Sequence, residues 1–139
     1  MHAHATGSFD VTLSPQPSTT GQPLLGRLHI DKTYSGDLSA TGIGEMLSAG
    51  TQTKGSAAYV AIEQVTGSLG GRSGSFVLRH VGSMNRGVPE LLVSVVPDSG
   101  TGELEGLAGT LTIHVSDGKH AYAFDYTLPE HAAVPPAAE

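Results

Sequence analysis

The feature that most constrains this chain is the stretch from Lys54 to Met84, KGSAAYVAIEQVTGSLGGRSGSFVLRHVGSM. Two β-rich runs flank Gly70-Gly71, and a glycine pair between such runs reads as a tight hairpin turn, because glycine adopts positive φ at little cost. With those glycines as the turn, Leu69 faces Arg72, Val65 faces Phe76, Glu63 faces Leu78 and Ala61 faces His80. Side chains alternate across a strand and facing residues share a face. One face therefore carries Tyr59, Ala61, Glu63, Val65, Phe76, Leu78 and His80. The other is mixed and holds Val60, Ile62, Val77, Arg79 and Val81, so it is expected to meet solvent or a partner subunit. A slip of one residue would bring Gln64 and Arg79 inside and give a poorer core.

The remaining strands follow from alternation. Residues 8–13 set Phe9, Val11 and Leu13 on one face, and 24–34 set Leu28, Ile30, Lys32 and Tyr34 in phase. Ser14 to Pro23 is a polar, proline-rich connection. Ser35-Gly36 reads as a two-residue turn into a third strand, 37–49, in which Gly42 and Gly44 mark a bend or bulge. Asn85 to Glu90 reads as a loop, Leu91 to Val96 as a sixth strand, and Asp98 to Gly109 as a glycine-studded connection with room for one helical turn. Asp117-Gly118 suits a type I′ turn. It joins a final pair of strands, with Leu111, Ile113 and Val115 on the face of His120, Tyr122, Phe124 and Tyr126. Residues before Thr6 fit no hairpin pattern.

Eight consecutive strands that must hide their edges predict an all-β fold, an eight-stranded antiparallel up-and-down barrel, with a two-sheet β-sandwich as the alternative. A barrel of eight strands holds packed side chains or one small ligand. Its 139 residues fit one barrel domain over 1–129, with 130–139 (EHAAVPPAAE) expected to be a disordered tail. The formal charge of −6, with seven Lys and Arg, argues against a nucleic-acid partner. No apolar run approaches membrane-spanning length and the N-terminus lacks a signal pattern, so a cytoplasmic location with no membrane partner is expected. The absence of cysteine excludes thiolate metal sites. His2 and His4 lack a third fixed ligand, so no metal and no cofactor is expected. GTGELEG lacks the lysine and spacing of a phosphate loop, and GRSGS misses the nucleophile-elbow spacing by one residue.

The chemistry-bearing pair is Glu63 and His80, diagonal neighbours on an otherwise apolar face. Burial would raise the Glu63 pKa, as a general base near neutral pH requires. The alternative is structural: Glu63 pairs with His80, or with Lys32 or Arg72 at a rim, and fixes register. Tyr59, Phe76, Leu78, Tyr122, Phe124 and Tyr126 are the candidate substrate-binding residues, although such side chains also simply fill a barrel core. Asp37 and Glu45 share the phase of Lys32 if the Ser35-Gly36 turn holds, which points to an ion pair. Val60, Ile62, Val77 and Val81 form an apolar outer strip, and a homo-oligomer, first of all a dimer, is expected from it.

Two passages resemble the allene oxide cyclase superfamily. DKTYSGDL (31–38) resembles the K-x-Y-x-G-D-L strand and turn of the plant cyclases, and GTGELEGLAG (100–109) resembles their G-x-G-x-F-x-G-A-x-G segment. From about Thr6 to Leu128 the chain, with GEML, SAAYVAIEQVTG, GRSGSFVLRHVG and GKHAYAFDYTL, resembles a bacterial family of small uncharacterised barrels, domain of unknown function 3224, placed in that superfamily. The resemblance implies an eight-stranded barrel, oligomerisation and an apolar small-molecule ligand. The plant enzymes use an acid and asparagines on early strands. Here Asp10 points away from Phe9, Val11 and Leu13, and Asp31 replaces the asparagine, so the cyclase site does not transfer.

Three function classes follow. The first is a cofactor-independent isomerase or cyclase with Glu63 as base, His80 as orienting partner and a tyrosine as donor. The second is a non-catalytic barrel holding a hydrophobic small molecule, and the third a structural oligomeric barrel with a filled interior. The reading favoured is the small-molecule barrel. A cavity of several hundred cubic ångströms separates the first two classes from the third.

Overall fold

A computed structural model describes residues 1–129; the expected tail over 130–139 lies outside the described residues. The strands are β1 His2–Pro15, β2 Leu25–Gly36, β3 Leu38–Gly50, β4 Ala57–Leu69, β5 Arg72–Asn85, β6 Val88–Val95, β7 Ala108–Ser116 and β8 Lys119–Thr127. Each pairs antiparallel with the next, and β1 pairs with β8, so the sheet closes into a barrel and the sandwich alternative falls. The β4–β5 register is the one the glycine turn requires, with Leu69 opposite Arg72, Val65 opposite Phe76 and Ala61 opposite His80. Gly70 and Gly71 have φ of 59° and 86°, the left-handed pair that closes such a hairpin without a Cβ penalty.

Three expectations need correction. Residues before Thr6 are strand: His2 to Ala5 pair with Thr127 to Phe124 and close the barrel. Alternation missed them because the inward positions there, Ala3 and Ala5, are small. Val88 to Glu90 are strand as well, opposite Ser83 to Asn85, with a tight turn at Arg86-Gly87. Pro89 is tolerated because β6 pairs with β7 only through Val93–Leu111 and Ser94–Thr110, leaving its upper half an edge. Third, Tyr34 lies opposite Ala40 and not Asp37, so the register is three residues longer than a Ser35-Gly36 turn gives and the β3 phase flips. Leu38 and Ala40 point inward, whereas Asp37 and Glu45 are exposed and Glu45 pairs with Arg27 at 3.0 Å. Neither acid reaches Lys32.

The barrel has two unlike ends. The Gly70-Gly71 end is packed solid by Leu38, Val65, Leu69, Phe76, Leu78 and Phe124. Leu104 and Leu107, from the connection that includes a 3-10 turn at Gly102–Leu104, plug it. The Tyr122 hydroxyl ties that end together, accepting from Leu38 N–H at 2.8 Å and reaching Ser35 C=O at 3.0 Å. The opposite end, where the 16–24 and 51–56 loops emerge, is open.

Candidate functional site

The buried polar residues of the barrel are Lys32, Glu63 and His80, from β2, β4 and β5. Each is inward by the alternation of its own strand; β5 pairs directly with β4, and β2 reaches Glu63 from across β3, where Gly42 carries no side chain. The carboxylate is fully buried and both its oxygens are engaged. Oε1 lies 3.1 Å from Lys32 Nζ and 2.9 Å from His80 Nε2, and Oε2 accepts from the Tyr34 hydroxyl at 2.5 Å. Lys32 Nζ also sits 4.6 Å from the centroid of the Phe9 ring, a cation–π contact in a water-poor setting.

Two glycines make the room. A Cβ at Gly42 would collide with Glu63 Oε2, and one at Gly44 with the backbone of Ile62. The β3 glycines therefore mark close approach of Glu63 to the neighbouring strand.

The electrostatics overturn the pKa expectation. Burial pushes the Glu63 carboxyl up, but the His80 hydrogen bond, the Lys32 charge and the Tyr34 hydroxyl together outweigh it and hold the group below its ordinary value. Burial, followed by the Glu63 charge and hydrogen bond, pushes the Tyr34 phenol up, so it remains a donor. Glu63 is thus an ionised anchor whose two oxygens are held by Lys32, His80 and Tyr34, with Lys32 as its counter-charge.

Lys32 and His80 form the floor of a cavity of about 240 Å³ walled by Phe9, Val11, Ile30, Ala61, Ile113 and His120. Met46, Tyr59 and Leu91 join it to an outer vestibule of about 670 Å³ at the open end, beside the 51–56 loop. Of the six candidate substrate-binding residues, Tyr59 lines both spaces. Phe76, Leu78, Tyr122, Phe124 and Tyr126 instead belong to the packed half, where Phe76 stacks on Phe124 with centroids 5.9 Å apart. The structure therefore brings Glu63 and His80 together as the turn register required. It also pairs Glu63 with Lys32, the alternative partner, in the interior rather than at a rim, and it adds Tyr34, which shares the inward phase of β2. Arg72 stays at the Gly70-Gly71 turn, away from the cluster. Of the other lining residues, Met46 is hidden by the β3 phase, and Leu91 opens a sixth strand, LLVSVV, that is apolar at nearly every position and so marks no inward face. Among the described residues no group of three acidic, His or Cys side chains is disposed to hold a metal. His4 meets Asp125 at 2.5 Å on the exposed surface.

Fold and site together define a closed eight-stranded β-barrel with one filled half and one open half, divided by a buried Lys–Glu–His–Tyr cluster. The chain belongs to the family described as "Protein of unknown function (DUF3224)", whose model matches residues 5–126. It is similar to the crystal structure of a DUF3224-family protein of unknown function from Shewanella oneidensis MR-1. The two are 51% identical, the match covers 93% of this chain and 98% of the other, and the TM-score is 0.88. No curated protein matches. Among the described residues no helix is long and apolar enough to cross a membrane.

Proposed function

We propose that the open half of the barrel binds a hydrophobic small molecule, with Lys32 and His80 meeting its one polar end. The observation that carries this reading is the cavity itself: apolar walls over a floor of two nitrogen-bearing side chains that are both nearly buried. A structural barrel would gain more stability by filling that space, as its other half does. The polar floor suits an acceptor such as a carbonyl or carboxylate, because lysine offers donors and imidazole offers either role.

The Glu63–His80 contact supports a second reading, acid–base isomerisation or cyclisation without a cofactor. In it His80, and not Glu63, faces the ligand and handles the proton, while Glu63 holds the imidazole in place through Nε2. Placement in the allene oxide cyclase superfamily belongs to the same proposal. It is supported by DKTYSGDL, which supplies Lys32 and Tyr34 to the cluster, and by GTGELEGLAG, which forms most of the plug.

Native mass spectrometry of protein purified from its own host tests the binding reading, alongside an Ala61→Phe variant that fills the cavity from its wall. An organic species on the wild-type chain and none on the folded variant is the expected result. An empty wild-type barrel whose melting temperature no apolar compound raises would remove the proposal.

A further inference from the structure

The outer surface of the barrel is lopsided. On β1 the outward residues are His2, His4, Thr6, Ser8, Asp10, Thr12 and Ser14, and on β8 Ala121, Ala123 and Asp125 stand between Lys119 and Thr127. Across the middle of β3 to β6 the outward rows instead carry large apolar side chains. Leu47, Val60, Val81 and Leu92 form one unbroken row across four strands, each opposite the next. They are 57%, 50%, 44% and 49% exposed. The next row towards the plugged end reads Glu45, Ile62, Arg79, and the one beyond it Ile43, Gln64, Val77. Ile62 and Ile43 are 54% and 56% exposed. An isolated protein seldom leaves so continuous an apolar face in water.

We propose that this face is the interface of a homodimer whose two-fold axis runs close to the direction of β4. The charges pick the second copy as occupant and fix the axis. Glu45 and Arg79 lie in one row, one strand to either side of Ile62. A two-fold along β4 exchanges those positions, so Glu45 of each protomer meets Arg79 of its partner, twice in the dimer. The same operation sets Leu47 against Val81 and Ile43 against Val77, and leaves Val60 and Ile62 facing their own copies. Arg79 forms no ion pair among the described residues, its one partner being the Ser94 hydroxyl at 3.2 Å. Glu45 already has Arg27 on its far side, so the contact becomes an Arg–Glu–Arg run at the rim. Two twisted sheets stacked face to face about ten ångströms apart give the ordinary geometry of such a contact, and self-complementarity is what an isologous interface demands.

The test uses the full chain. Light scattering at micromolar concentration should return about twice 14.2 kDa. Arg79→Glu and Glu45→Lys should each shift the chain to monomer, since each sets like charges face to face. Mixing the two variants should restore a dimer, because every contact then joins opposite charges. A wild-type mass of one chain overturns the proposal, and so does a dimer indifferent to both charge reversals. The chain has no cysteine, which gives an independent readout in Ile62→Cys: mild oxidation should link it to its own copy, whereas Thr112→Cys on β7 should stay unlinked. Linking at both or at neither position counts against the axis.

Discussion

The Glu63 carboxylate occupies the space where a side chain on Gly42 would begin. Gly42→Ala should therefore displace Glu63 from Lys32, His80 and Tyr34 and destabilise the fold by about 1–3 kcal/mol, the usual range for overpacking. In a Glu63→Ala background the same glycine change should cost less, since the colliding atoms are gone. Urea unfolding of the four proteins in the cycle measures this coupling, and strict additivity would mean that the two residues do not interact.

Removing the anchor alone should cost more. Glu63→Ala strands a buried lysine, and breaking a buried ion pair costs about 3–5 kcal/mol. Replacing both partners by apolar residues, Lys32→Met with Glu63→Leu, should cost less than Glu63→Ala by itself, because no uncompensated charge remains. Chemical denaturation of both variants checks the order.

The Glu63 pKa direction sets the acid limb of stability. Its folded pKa is held below the unfolded value of about 4.3, so the contribution is present above that value and is lost as pH falls through the folded pKa. A Glu63→Gln variant should show a shallower loss of melting temperature on acidification than the wild type. The Tyr34 shift acts at the other end: its raised phenol pKa gives stability present below about 10 and lost as pH rises beyond it. Ultraviolet titration should therefore leave Tyr34 un-ionised until the barrel unfolds at alkaline pH.

Tyr122→Phe isolates the packed end. It leaves the Leu38 N–H without its 2.8 Å acceptor in a buried position, at a cost of about 1–3 kcal/mol. Ligand binding at the open end should be unchanged, which calorimetry against any ligand found for the wild type would show.

Much of this arrangement is legible before any coordinates. Gly70-Gly71 and Asp117-Gly118 set two registers through turn chemistry, and the Glu63–His80 contact follows from the first by counting. Between Tyr34 and Ala40, where the register runs three residues longer than a Ser35-Gly36 turn gives, counting failed and took Met46 with it. Where inward positions are alanine, as at Ala3 and Ala5, periodicity has no signal to read. The split into a packed and an open half was invisible for a different reason. Phe76 and Tyr59 share a face, and only the height of each along the barrel decides which one lines the cavity.

The central claim is that the open half is a ligand site. Methyl-resolved NMR, with a medium-chain fatty acid titrated as the probe, measures it most directly. Signals of Met46, Ile30, Ile113 and Val11 around the cavity should move with a saturable dependence on probe. Those of Leu38 and Leu69 in the plugged half should stay in place. Lys32→Met should weaken the response if the ammonium meets the polar end. Cavity methyls that stay fixed at saturating probe, or shifts confined to the outer face around Val60 and Val81, would contradict the account.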